Sequence, residues 1–239
     1  MQTAVYKRDL MSFFNNGSAY IIFAVYCLLS YVAAFFWGDY LTTGNSSMLS
    51  YFIFQPNILA MIIPAISMRS WADEKRSGTI ENLLTFPIST INLIISKFAT
   101  VLTISTIMVL FSLPLLITTG IYIPLDWGSL FCSYIAIILT SCVLSAFGCL
   151  TSSISQTPAI AYLLGLLCGI FWINFTFNGL LSTIWHNMPF YFEGILNFSN
   201  NYHNLLNGQL NFYSIIYFAG LTFLLLFCNL LKVEDWRAK

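Results

Sequence analysis

Walked with a window of about 19 residues, the chain resolves into six apolar stretches: Ala19 to Trp37, Tyr51 to Met68, Lys97 to Thr119, Gly128 to Thr151, Pro158 to Phe177 and Phe212 to Leu231. Each approaches the roughly 20 residues a helix needs to cross a hydrocarbon layer. The pattern predicts an all-α integral membrane protein with six transmembrane helices, short loops and one transmembrane domain over residues 1–239. The first stretch is too long for a signal-peptide core and no Ala-x-Ala site follows it, so it is expected to remain attached.

Two further segments are not simple spans. Residues Thr3 to Asn16 set Val5, Tyr6, Leu10, Phe13 and Phe14 among Lys7, Arg8 and Asp9. That mixture suits a short helix lying at the cytoplasmic membrane surface, the alternative being a frayed terminus. The long loop from Asn178 to Asn211 carries Trp185, Phe190, Tyr191, Phe192, Phe198 and Tyr202. It is expected to fold back into the outer interface, where aromatic rings are favoured.

Composition supports the membrane reading. Only 8% of residues are charged, against about 25% in soluble domains. Nine basic and nine acidic residues leave no net charge, so no basic stripe is available for nucleic acid. The six cysteines fall inside apolar runs without Cys-x-x-Cys spacing and read as small core residues.

Charge position sets the expected orientation. Lys7 and Arg8 precede the first span; Arg69, Lys75, Arg76 and Lys97 lie around the loop after the second; Lys232, Arg237 and Lys239 follow the sixth. The opposite loops carry Asp39, Asp126 and Glu193 and no basic residue. The positive-inside rule therefore places both termini and the loop after span two in the cytoplasm. Lys97 is expected at a cytoplasmic span end, with its stem snorkelling. No other ionisable residue falls within the spans, which weighs against a proton-coupled carrier, while sodium coupling through carbonyls stays open.

The phosphate-cradling Gly-x-x-x-x-Gly-Lys loop is absent, as are Gly-x-Ser-x-Gly and His-Glu-x-x-His. ATP hydrolysis through that loop is therefore not expected in this chain. An intramembrane enzyme has no nucleophile and base pair to rest on. His186 and His203 share a loop with Glu193, but their irregular spacing predicts no metal site.

The segment Arg69 to Pro87 carries five charges before Gly78 and then turns apolar. Gly78 is expected to break the preceding helix and Thr79 to cap a new one, which Pro87 ends by biasing Phe86 out of helical geometry. On this helix of about two turns, over residues 79–86, Ile80, Leu83 and Leu84 share a face. That face needs cover, from a partner protein or from the membrane surface.

The run from Ile63 to Pro87 resembles the hallmark of ABC-2 type transporter permeases, in which span two leads into a cytoplasmic coupling helix. Further matching segments are Lys7 to Phe14, Ser96 to Phe98, Gly148 to Ser153 and Leu206 to Leu210. The pattern is most similar to short permeases of the gliding-motility type, with kinship to those serving nitrous-oxide reductase maturation. It departs from them at Asp9, Ser96 and Asn82. The resemblance implies a type V exporter-like half-transporter in the bacterial inner membrane. Two copies pair there, and two separate ABC ATPase subunits, which hold the ATP and magnesium, dock on the coupling helices. This chain itself would bind no cofactor.

Within that scheme Glu74 and Arg76 are expected to orient the joint by charge-assisted contacts, and Gly78 and Thr79 to make the bend. Ile80, Leu83 and Leu84 would fill the ATPase groove, between Glu81 and Pro87 of the same hallmark. Gly165 and Gly169 form a Gly-x-x-x-Gly motif, and the resemblance, which places spans one and five near the dimer axis, implies a role in dimer packing. Asn57, Asn174 and Asn178 offer sparse polar contacts on a substrate path, with Phe190, Tyr191 and Phe192 at its outer end. Such walls suit an amphipathic or lipid-linked substrate. The alternative reading is a scaffold that recruits an ATPase to an extracytoplasmic machine without transporting anything.

Overall fold

The computed structural model describes residues 2–37, 49–79, 89–122, 126–174 and 197–237. Every regular element among them is helical: α1 (Gln2–Phe14), α2 (Gly17–Val32, continued by a π-helical turn Ala33–Trp37), α3 (Leu49–Ser67), α4 (Arg69–Arg76), α5 (Thr90–Leu110), α6 (Leu113–Tyr122), α7 (Trp127–Ile154), α8 (Pro158–Asn174), α9 (Phe198–Leu206) and α10 (Phe212–Arg237). Five helical stretches are long and apolar enough to cross a membrane. The fifth expected span corresponds to α8, which has 17 residues within the described chain. The protein is an all-α, multi-pass membrane protein.

The α7 helix is the central post, packing against α3, α4, α5, α8, α9 and α10. Its buried face is made of small residues, among them Ser133, Ala136, Thr140, Ser141, Ser145 and Gly148. Small side chains let neighbouring backbones approach, the usual basis of helix association in lipid. The hydroxyls do not remain orphaned there: Thr140 donates to the Ala136 carbonyl at 2.8 Å, Ser141 to Ile137 at 2.8 Å and Ser145 to Ser141 at 2.7 Å. Internal satisfaction of this kind is what a water-free surrounding requires. At the periphery, Tyr20, Ile21 and Leu28 of α2, Leu163, Leu167 and Phe171 of α8, and Phe212, Ile216 and Phe223 of α10 point outward. Apolar side chains facing outward are stable only against lipid or another apolar surface.

Span two contains Pro56 and Pro64 inside its helix. A proline leaves the carbonyl four residues earlier without its helical donor. Below Pro56 that carbonyl belongs to Phe52, and the Tyr202 hydroxyl of α9 donates to it at 2.7 Å. The loop helix is thereby tied to the middle of the bundle, with Phe198 and Tyr202 stacked at 5.3 Å and Trp172 tilted against Phe198 at 4.7 Å. This part of the expected outer loop is buried helix. His203 lies on α9, while Asn178, His186, Phe190, Tyr191, Phe192 and Glu193 fall outside the described residues.

Two expectations need correction. Span three does not begin at Lys97: α5 starts at Thr90, so Lys97 sits about two turns inside the helix and is 2% exposed. The apolar residues Ile91, Leu93, Ile94 and Ile95 carry the helix back to Ser89, whose extended backbone makes the N-terminal boundary. Span three also breaks at Phe111 and Ser112 before α6, where Pro114 supplies no backbone donor. Among the cysteines, Cys132 and Cys149 are buried, whereas Cys228 is exposed on the outer side of α10 and is no core residue.

Candidate functional site

The helix α4 follows span two across Met68, whose backbone stays in the right-handed helical region, so that Tyr51–Arg76 runs as one stretch of 26 residues. The first amides of a helix have no partner within it, and Met68 provides no side-chain cap. Ser152, near the end of α7, takes that role: its hydroxyl accepts from the Trp71 amide at 3.0 Å and the Ala72 amide at 3.2 Å, and donates to the Met68 carbonyl at 3.0 Å. One residue of span four thus holds both sides of the junction at Met68. At Gly148, one turn earlier, the two spans lie close; a Cβ there would overlap the Ser67 hydroxyl and lie 2.7 Å from Ser67 Cβ.

Spacing along α4 divides its contacts into two sets, because residues four apart share a face. Trp71 and Lys75 turn towards α7 and α10. The Lys75 ammonium donates to the Ser153 carbonyl and to the Ser155 carbonyl at 3.3 Å, and lies 3.9 Å from the centre of the Trp236 ring. A cation on the last carbonyls of α7 also suits the negative end of that helix. Trp71 is fully buried and meets Trp236 edge-on at 5.7 Å.

Ser70 and Glu74 turn the other way, towards α1 and α5. Glu74 accepts from Arg8 at 2.9 Å and pairs with Lys97 at 2.9 Å, while Arg8 also pairs with Asp9 at 2.8 Å. Lys97 lies 3.8 Å from Asp9, donates to the Ser70 carbonyl and sits 4.6 Å from the centre of the Trp71 ring. Two cations and two anions therefore close on one another between three helices. Only the Arg8 side chain, at 53%, is substantially exposed; that of Lys97 is 1% exposed. Burial alone would lower the Arg8 guanidinium, but Asp9 and Glu74 outweigh it and the net direction is upward. Removing one partner of such a network leaves an uncompensated charge in a poorly hydrated place.

The sequence placed Glu74 at the joint beside Arg76; in the structure its partners are Arg8 and Lys97, which sequence spacing had placed on a surface helix and at a snorkelling span end. The one sequence signal for the cluster is a lysine preceded by an apolar run, Ile91 to Ile95, which marks a charge inside a helix that needs a partner without saying which. Beyond Arg76, Gly78 adopts φ of 70°, a left-handed conformation that favours glycine, and ends α4. The Ser77 and Thr79 hydroxyls lie 2.8 Å apart beside that turn. Ile80, Glu81, Leu83, Leu84 and Pro87 fall outside the described residues.

The remaining expected residues lie elsewhere. Asn174 donates to Asn57 at 3.0 Å and to the Ile170 carbonyl at 3.0 Å, so the two asparagines face one another between α8 and α3. Gly165 and Gly169 are buried within the chain. A Cβ on Gly165 would come to 3.0 Å from Pro64 Cβ, and one on Gly169 to 3.1 Å from Leu144 Cδ2. The close approach this motif permits is therefore to spans two and four of the same chain, which corrects its expected place on the dimer surface.

The model of the ABC-2 family transporter proteins matches residues 41–228. No curated protein matches the chain.

Proposed function

This chain belongs to the ABC-2 family of transporter proteins and is a permease subunit of an ABC transporter, and on that premise we propose that two copies pair in the bacterial inner membrane above two separately encoded ATPases. Both termini and the segment after span two face the cytoplasm in this reading. The segment following Gly78 is the coupling helix, with Ile80, Leu83 and Leu84 in the ATPase groove. Closure of the ATPases on ATP and magnesium pushes that helix, and α4 carries the displacement into the bundle.

The observation that carries the reading is the fixation of α4. Ser152 holds its start, Glu74 ties it to Arg8 and Lys97, and Lys75 ties it to the end of α7 and to Trp236. A helix held on two faces in this way cannot be displaced without moving α1, α5 and α7 with it. A loose segment would dissipate the same push.

The cargo is amphipathic or lipid-linked. Asn57 and Asn174 pair with one another, and the six apolar stretches carry no charged residue other than Lys97 that could hold an ion. Reconstitution with the cognate ATPase in proteoliposomes tests the proposal. ATP hydrolysis stimulated by an amphipathic substrate supports transport, whereas a rate indifferent to every lipid and peptide supplied would favour the scaffold that recruits an ATPase without carrying cargo.

A further inference from the structure

A cavity of about 420 Å³ opens between α1, the junction of α3 with α4, and α5. Its size falls in the range of sites for small ligands, roughly 300–1,000 Å³. We propose that it binds the headgroup and first acyl carbons of a zwitterionic glycerophospholipid, one carrying both a phosphate and an ammonium group. The cavity does not include Asn57 or Asn174, although Glu74 and Thr79 of the joint line it, and lipid binding there does not require that the chain transport anything.

The lining combines an apolar part with charged groups, as a lipid would require. Ile66 of α3, Val101 and Ile104 of α5 and Phe13 of α1 form its apolar part, and the spans supply three of the four. Arg69 and Asp73, just beyond the end of span two, form the polar rim. Arg8, Asp9, Glu74 and Lys97 also line it, and their charges neutralise one another at 2.8–3.8 Å. A lone anion entering that region would meet two carboxylates, and a lone cation two basic groups.

The rim is different. Arg69 and Asp73 are 45% and 49% exposed and stand 4.0 Å apart, beyond hydrogen-bond length. Arg69 also donates to the Ser18 hydroxyl at 3.3 Å; an exposed pair at the Arg69–Asp73 separation is worth little, so the remaining guanidinium donors and the Asp73 carboxylate retain capacity for an outside partner. A phosphate on Arg69 and an ammonium on Asp73 match this adjacent opposite pair, and the acyl carbons cover the apolar floor. A soluble zwitterion would leave that floor uncovered.

The test is native mass spectrometry of the delipidated full chain offered dioleoyl phosphatidylethanolamine, phosphatidylcholine, phosphatidylglycerol or free glycerophosphoethanolamine. Either zwitterionic lipid should be retained as one molecule per chain, roughly tenfold more tightly than phosphatidylglycerol. Arg69→Ala/Asp73→Ala should abolish that preference; should it unfold, the milder Arg69→Gln/Asp73→Asn pair is read instead. Equal retention of the anionic lipid, an undiminished preference in the folded variant, or equally tight binding of the free headgroup would each overturn the proposal.

Discussion

The Lys97 ammonium, carried about two turns inside span three, lies 2.9 Å from the Glu74 carboxylate of the helix that follows span two. The Lys97 side chain is 1% exposed, so its charge is tolerated only because Glu74, Asp9 and the Ser70 carbonyl surround it. Breaking a buried pair of this kind costs about 3–5 kcal/mol. Lys97→Met is therefore expected to lower the thermal midpoint of the detergent-purified protein sharply, followed by tryptophan fluorescence. Lys97→Glu combined with Glu74→Lys should recover part of the loss, while a single variant as stable as the wild type would contradict the network.

Gly148 predicts a steric effect that its helix position alone would not. An added methyl collides with Ser67, so Gly148→Ala should destabilise by about 1–3 kcal/mol, the usual range for overpacking. Gly220, on α10, has nothing within 4 Å of its would-be Cβ. Gly220→Ala should be neutral or stabilising by up to about 1 kcal/mol. Equal midpoints for the two variants would remove the packing argument.

How much of this was legible in the sequence depended on the kind of signal. Long apolar runs set the spans, because a hydrocarbon layer demands length and little else. The left-handed turn at Gly78 was readable for a similar reason, since few residues adopt it. The Arg8, Glu74 and Lys97 cluster was not, because its members are far apart in the chain and each alone fits an ordinary surface role. Gly165 and Gly169 show the converse limit: the spacing announces a close approach but does not say to which helix.

The bond from Tyr202 to Phe52 replaces what Pro56 removes from span two. Tyr202→Phe leaves a buried carbonyl unsatisfied and should cost about 1–3 kcal/mol. Combining it with Pro56→Ala, which restores the backbone donor, should make the tyrosine change nearly neutral. A double-mutant cycle on thermal midpoints measures the coupling, and strict additivity would show that the two residues act separately.

Orientation follows from the clustering of basic residues at one end. In a chain freed of its own cysteines, a reporter at Ser77 should react with a membrane-impermeant maleimide only from the cytoplasmic side, and one at Gln209 only from the opposite side. Both positions are exposed. Labelling of both from one side would contradict an inward-facing α4.

The central claim is that an ATPase drives this permease through the segment after Gly78. Co-purification of the cognate ATPase with the wild-type chain and with Leu83→Asp and Leu84→Asp variants tests it most directly. A charge left unpaired in an apolar groove costs several kcal/mol, enough to lower affinity by a few orders of magnitude. The account predicts that the ATPase elutes with the wild type and is lost from both variants. Undiminished recovery with both would contradict it and leave that helix to the membrane surface.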